Sequence, residues 1–393
     1  MTERPTVVLF GGWFGSRNAG DEAIMIGNVA IIRRFIPQAR ILVHSIDPDF
    51  TESMSDVEAI SVSEFRTKIS KAIHLIRTYR SADLFVVTGG TPIFDFRLLS
   101  RLFHFGVPLL SSVPIVWLGI GMKPIKSRMG RAFYSLILRF SSYVSVRDPE
   151  VHQGLRGIGY KGNIELTADS AIVMPTTNDV EQDLPIQVRE AIRQPFIAFT
   201  PIFLSAEDPD SHYHEAVSEI EIERAYTAMA RVADVAVEGG YQAIFVPMHK
   251  VQPDDDRVAI DIVRRRMNRD SKVLDFGEHP RLTSEVISRA HLLVGMRLHS
   301  LVLATARSTP AVGIAFDMKV GGYMRYVGLG EYVRPISTLD ENWLLDAYVR
   351  LLSKRDEVSR ELEARIAEWT DLVIRSCGNA LRAGGLLDAD RTE

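Results

Sequence analysis

The 393-residue chain holds a single cysteine, Cys377. An intrachain disulfide and a cysteine-built metal site are therefore excluded, and such sparing use of thiols fits a reducing compartment. Long unbroken apolar runs are also missing. The most apolar region, about 105–122, is interrupted by Pro108, Ser111, Ser112 and Pro114. It reads as a helix end followed by a strand, not as a membrane span. The opening Met-Thr-Glu-Arg-Pro lacks a signal-peptide layout. Charge of either sign is nearly balanced, with 46 Lys and Arg against 50 Asp and Glu and a net −4. That leaves no overall basic footprint for nucleic acid. No H-E-x-x-H and no set of carboxylates aimed at a metal occurs, so no metal is expected. Repeats of solenoid period and low-complexity segments are absent too. These absences together predict a cytoplasmic protein without a transmembrane segment.

What is present is an ordinary globular composition, 46% hydrophobic and 24% charged, at a length that suits two domains. Short β-branched and apolar runs predict strands at Thr6–Phe10, Ile41–Ser45, Leu84–Val87, Ile115–Gly119 and Tyr143–Val146. A second series is predicted at Phe196–Thr200, Gln242–Val246 and Lys272–Asp275, then through 291–319. Helical segments alternate with them. Residues 51–64 read as a polar connection, 65–80 as a basic helix, and Ser205–His214 as a polar loop. The turn-rich stretch 175–183 reads as a linker. The expected architecture is two doubly wound Rossmann-like α/β domains facing a cleft, 1–178 and 186–340, followed by helices and a tail over 341–393.

The segment 291–319 reads as strand, turn, helix, strand, turn, which is one βαβ unit. Gly295 breaks the first strand. Arg297 and His299 then fall at the start of a helix, and Lys319 follows the second strand. Ligands of such sheets sit beyond the carboxyl ends of the strands, and a helix N-terminus already favours anions. The expected ligand is small and multiply anionic. Arg147 has the same context after Tyr143–Val146, with Asp148-Pro149 starting a helix; a surface pair with Glu150 is the plainer reading. The first crossover, Gly11 to Glu22, is not G-x-G-x-x-G, and Asp21 and Glu22 would repel a phosphate at its helix start, which argues against a dinucleotide. Asp21 reads either as a helix cap or, with Asn18, as a partner for hydroxyls of a polar acceptor. Gly89 and Gly90 form a turn whose backbone can approach a ligand closely, and Asp95 follows on the same acceptor side. The run Asp254-Asp255-Asp256 reads as helix-start charge.

Several of these stretches resemble the polysaccharide pyruvyl transferase family: Gly-Trp-Phe-Gly-Ser-Arg-Asn-Ala-Gly-Asp-Glu-Ala-Ile near the start, Thr-Gly-Gly-Thr-Pro-Ile-Phe-Asp at 88–95, and Gly-Ile-Gly at 119–121. Val-Ser-Val-Arg-Asp ending at Asp148, Gly-Met-Arg-Leu-His at 295–299 and Phe-Asp-Met-Lys at 316–319 also match. The resemblance spans roughly residues 5–335. It departs at Thr88 and Thr91, where the family usually shows glycine. It implies a fold like that of GT-B glycosyltransferases and transfer of pyruvate from phosphoenolpyruvate, as a ketal, onto two hydroxyls of a sugar. By resemblance, Arg147, Arg297, His299 and Lys319 with Gly295 hold the donor, and Arg297, His299 and Lys319 act in catalysis. No cofactor is implied beyond phosphoenolpyruvate as co-substrate. The sugar could be carried by a polysaccharide, a glycolipid or a lipid-linked precursor, in which case the protein would be peripheral at the inner face of the cell membrane.

Charge supports this donor. Phosphoenolpyruvate carries about three negative charges near neutral pH, and two arginines and a lysine would neutralise about that many. Arginine's planar fork suits carboxylate and phosphate alike. Histidine is the side chain suited to moving the protons that ketal formation requires, so His299 is either the acid–base group or a phosphate ligand. The alternative is a GT-B-like glycosyltransferase that uses the same cations on a nucleotide-sugar diphosphate.

Overall fold

The computed structural model describes residues 4–61, 67–95, 98–176, 180–204, 217–276 and 279–388. The chain divides into two compact units. The first comprises Met1–Ser16, Asp21–Pro175 and Trp369–Glu393, the second Arg17–Gly20 and Thr176–Glu368. The C-terminal stretch 341–393 thus does not stand alone; it is shared out at Trp369. No helix among the described residues is long and apolar enough to cross a membrane.

The first unit is built on seven parallel strands: β1 (Thr6–Phe10), β2 (Arg40–Ser45), β3 (Glu58–Ser61), β4 (Leu84–Val87), β5 (Ile115–Ile120), β6 (Tyr143–Val146) and β7 (Glu165–Leu166), in the order β3-β2-β1-β4-β5-β6-β7. Between them lie α1 (Ala19–Phe35), α2 (Pro48–Met54), α3 (Lys68–Arg80), α4 (Leu98–Leu110), α5 (Arg128–Arg139) and α6 (Pro149–Gly157). The central strands are buried along their whole length, as expected for a sheet covered on both faces. Val8 and Phe10 of β1, Phe85 of β4 and Trp117 of β5 share one core with Tyr79 of α3, Phe105 of α4, Tyr134 of α5 and Leu155 of α6. Those four helices therefore cover the same face of the sheet.

The second unit repeats the plan. Helices α7 (Val180–Asp183) and α8 (Ile186–Ala191) precede β8 (Phe196–Thr200). Then follow α9 (Glu219–Glu238), β9 (Gln242–Phe245), α10 (Asp256–Arg264), β10 (Lys272–Val273), α11 (Pro280–Ser288), β11 (Leu292–Gly295), α12 (Leu298–Thr305), β12 (Ala311–Ala315), α13 (Met318–Tyr326) and β13 (Val333–Pro335). Helices α14 (Glu341–Ser353) and α15 (Arg355–Ala383) end the series. The six strands are parallel, in the order β10-β9-β8-β11-β12-β13. The βαβ unit expected over 291–319 is β11–α12–β12, with Gly295 opposite Gly313. Both units are doubly wound α/β layers.

Some local readings are corrected. The described part of 51–64, residues 51–61, is not a plain connection: α2, capped by Asp47 and opened by Pro48, runs into it, and β3 follows. Only Ile60 of β3 is buried, so its hydrophobic pattern is too thin to read. The edge strands β7 and β13, two and three residues long, are equally faint. Asn18 rather than Asp21 caps α1, its Oδ1 accepting from the Gly20 N–H at 3.0 Å. Asp21 lies in the first helical turn. The Ser205–His214 loop and part of the 175–183 linker lie outside the described residues.

Candidate active site

Each sheet reverses its strand order once, between β1 and β4 in the first unit and between β8 and β11 in the second. Crevices at such points are where doubly wound sheets bind ligands. In the first unit, two glycine turns meet there. A Cβ on Gly89, whose φ is +101°, would lie 2.5 Å from Gly12 Cα, so only glycine lets the two turns touch. Thr88, which departs from the family's glycine, is fully buried. Its hydroxyl donates to the Leu118 carbonyl at 3.2 Å and accepts from Asn28 Nδ2 at 2.8 Å, tying α1 to the sheet. Asp95 is committed locally: its carboxylate accepts from the Lys126 and Ser127 N–H groups and the Ser127 hydroxyl, at 3.1, 2.7 and 2.6 Å. Burial pushes its pKa up, but these bonds, with Arg131 nearby, together outweigh that and hold it below the usual carboxylate range.

Arg147 leaves the end of β6 and is buried, contrary to a surface pair with Glu150. Its Nη1 donates to Asp169 at 2.7 Å, and Asp148 stands 3.7 Å from its Nε. Burial disfavours the guanidinium charge, but Asp169, Asp148 and Asp21 together outweigh it and raise its pKa. Asp148 also caps α6 through the Val151 N–H at 2.8 Å. A Cβ on Gly121 would fall 2.1 Å from the Gly90 carbonyl and 2.8 Å from Arg147 Nη2. The structure therefore gathers Gly90, Gly121, Arg147 and Asp21 in one neighbourhood of the first unit.

In the second unit the chain leaves β11 through Gly295, where a Cβ would lie 2.8 Å from Thr200 Oγ1 and 2.9 Å from Ser300 Oγ. Those two hydroxyls are 2.7 Å apart and lock the end of β8 to the start of α12. Arg297 is the N-cap residue of α12. Its Nε and Nη2 fork onto the wholly buried carboxylate of Asp256, with contacts of 2.7 to 3.1 Å, and Nη2 also donates to the Asp254 carbonyl at 3.0 Å. Asp256 accepts from the Met248 and His249 N–H groups as well, at 3.1 and 3.0 Å. Burial pushes the Asp256 pKa up, and Arg297 opposes it.

His299 lies in the first turn of α12, half-buried. Gly20, which clusters with this unit, is packed against it: a Cβ there would sit 1.9 Å from His299 Nδ1. Asn18, through its cap on Gly20, shapes that wall of the imidazole. On the neighbouring strand end, Asp317 caps α13 through the Val320 N–H at 3.1 Å, and Lys319 Nζ is 3.3 Å from Asp317 Oδ2. Gly295, Arg297, His299 and Lys319 thus lie on the carboxyl edges of two adjacent strands, as predicted. Arg147, Gly89, Gly90, Asp21 and Asp95 belong to the first unit.

A family model described as polysaccharide pyruvyl transferase matches residues 18–318. The chain belongs to that family. The Amylovoran biosynthesis protein AmsJ of Erwinia amylovora is 26% identical over 172 residues, which is 42% of this chain and 40% of AmsJ, so the match spans about two fifths of that relative's length. Solved structures share the fold. A Listeria monocytogenes protein assigned as a UDP-N-acetylglucosamine 2-epimerase superposes with a TM-score of 0.65 at 11% identity, over 100% of this chain and 99% of that one. A glycosyltransferase from Rickettsia africae gives 0.61 at 9% identity, over 98% and 100%.

For this pyruvyl transferase family member the simple charge count is revised. Three cations were expected to neutralise a triply charged donor, yet each stands beside carboxylate: Arg147 with Asp169 and Asp148, Arg297 with Asp256, Lys319 with Asp317. The carboxylates orient the guanidinium planes and lower the local net charge. Sequence reasoning missed Asp169 and Asp256 as partners, and the latter was read as helix-start charge. Its one visible signal was the acidic run Asp254-Asp255-Asp256 in the connection between the strand predicted at Gln242–Val246 and the next helix. The pairing itself joins residues 41 positions apart and is set by the sheet order.

Proposed function

We propose that the protein transfers pyruvate from phosphoenolpyruvate to a sugar as a ketal. The reading rests on one observation: the family match runs from Asn18 to Met318 and takes in Arg147, Gly295, Arg297 and His299, ending one residue before Lys319. Arg297, held by Asp256, offers a fixed guanidinium beside the N-terminus of α12, where backbone N–H groups favour a carboxylate or phosphate. Lys319 stands on the next strand end, on a side chain long enough to turn from Asp317 to a bound anion.

One proton is added to the donor's methylene carbon, which becomes a methyl group. A sugar hydroxyl oxygen bonds to the adjacent carbon and loses its proton. The C–O bond to phosphate then breaks, a second hydroxyl takes its place, and its proton leaves with the phosphate. His299 delivers the first proton and receives the one from the first hydroxyl. The acceptor is a sugar of a polysaccharide, glycolipid or lipid-linked precursor, and Gly89, Gly90 and Asp21 of the first unit are its candidate partners. Incubating the protein with phosphoenolpyruvate and a panel of sugar acceptors tests this. Expected are inorganic phosphate and a product heavier by one ketal-linked pyruvate. Release of nucleoside diphosphate from a sugar nucleotide, with phosphoenolpyruvate untouched, would identify a glycosyltransferase instead.

A further inference from the structure

Charge is distributed very unevenly along a chain whose sum is only −4. Residues 67–142 contain eleven Lys and Arg, two Asp and no Glu. Both acids are committed: Asp83 accepts from the Thr6 N–H, and Asp95 holds the turn before α5. The basic side chains Arg77, Arg80, Lys126, Arg128 and Arg139 are exposed. This stretch supplies α3, α4 and α5, whose inner sides share the core described above, so their outer sides form one layer.

That layer is studded with apolar side chains. Ile69 of α3 is 73% exposed, Leu110 at the end of α4 91%, and Met129 at the start of α5 69%. Phe140, just past α5, is 62% exposed, and Ile73, Leu102 and Leu136 lie open as well. Single exposed apolar residues are ordinary, but a run of them on three adjacent helices marks an interaction surface.

We propose that the outer face of α3–α5 docks on an anionic phospholipid surface. The aliphatic side chains and Phe140 enter the headgroup boundary, and the arginines and lysines meet lipid phosphates. Charge argues against the other occupants. A second copy placing the same basic face on this one would repel it. A nucleic acid would match the charge but would leave Leu, Ile and Met against a polyanion with nothing apolar to cover them. This inference does not depend on the transfer chemistry, because docking is read without substrates.

The test is cosedimentation of the full chain with vesicles of phosphatidylcholine alone, or of equal parts phosphatidylcholine and phosphatidylglycerol, at rising salt. Binding is expected only to the anionic vesicles and should fall with salt. Each neutralised charge should weaken it roughly fivefold, so Arg128→Glu with Arg139→Glu should weaken it at least about 25-fold. Leu136→Ser with Phe140→Ser should weaken it while leaving the salt dependence in place. All four positions are exposed, and unchanged melting curves would confirm that the variants fold. Equal binding to both vesicle types, no loss in either double variant, a dimer abolished by Leu136→Ser with Phe140→Ser, or preferential retention of DNA would each overturn the proposal.

Discussion

At the scale of single residues, the question is what His299 and Arg297 each contribute. His299 can be separated from mere binding because glutamine hydrogen-bonds but does not deliver a proton at neutral pH. Both His299→Ala and His299→Gln should lower kcat by roughly a hundredfold or more, with little change in donor dissociation constant. Near wild-type kcat in the glutamine variant would make His299 a binding residue and leave the proton transfers to Lys319 or Asp21. Arg297 presents a different balance, because its fork is engaged by Asp256. Arg297→Ala should weaken donor binding roughly ten- to a hundredfold, the worth of one charge-assisted hydrogen bond of about 1.5–3 kcal/mol. Asp256→Ala should cost about 3–5 kcal/mol of stability, because it strands a mostly buried guanidinium. Removing both partners together should recover part of that loss. If urea midpoints show the double variant losing the full sum of the two single changes, the two side chains are not coupled.

At the scale of elements, α3 and α4 are pinned to β2 by a buried polar chain. The Tyr79 hydroxyl of α3 bonds to His104 Nδ1 of α4 at 2.7 Å and to His44 Nε2 of β2. Burial, with Arg101 and Lys71 nearby, lowers the His104 pKa to about 3, and burial drives His44 down as well, with His104 the next cause. The fold therefore holds His104 neutral. Below about pH 6.5 the unfolded chain takes up a proton that the folded chain does not. Stability is then lost progressively from about pH 6.5 down toward 3, by about 2 kcal/mol at pH 5 for His104 alone. Trp13, Trp117 and Trp369 all belong to the first unit, so tryptophan fluorescence in urea reports mainly on it. Its midpoint should fall between pH 7 and 5, and His104→Gln, which cannot titrate there, should flatten the slope. An equally steep slope in that variant would remove His104 from the explanation. None of this cluster was visible in the sequence: its members are about 25 to 60 residues apart and carry no periodic signal. The strands on which it rests were visible, because central parallel strands are continuous apolar runs whose length alone identifies them.

At the scale of the whole molecule, the doubly wound plan and the carboxyl-edge placement of Arg147, Arg297, His299 and Lys319 were legible. Strand-then-turn-then-helix is a local pattern, and the position of a ligand edge follows from it. What was not legible is long-range: which carboxylate orients which arginine, and to which unit the C-terminal helix belongs. Helix α15 shows the second point. Its residues from Trp369 onward join the first unit, bringing Trp369, Val373, Cys377 and Leu381 into its interior. Ser376 Oγ bonds with the Tyr143 hydroxyl at 2.9 Å and Ser145 Oγ at 3.0 Å, and Asn379 Nδ2 donates to Glu165 at 3.1 Å. Amphipathic periodicity identifies such a helix but cannot name its partner. Cys377 makes the docking measurable, since it is the chain's only thiol, is fully buried, and has its pKa pushed up to about 12 by that burial. A thiol reagent should label it only when the helix end lifts away or the unit unfolds. Trp369→Ala should cost about 3–5 kcal/mol at this buried position. If opening is local and fast, Cys377 labelling should quicken by roughly a hundredfold or more. Lys354→Ala, at an exposed position in the part of the chain that clusters with the second unit, should leave the labelling rate unchanged. Rapid labelling of Cys377 in the unmodified native chain, or a rate indifferent to Trp369→Ala, would show that residues 369–383 are not a packed part of the first unit.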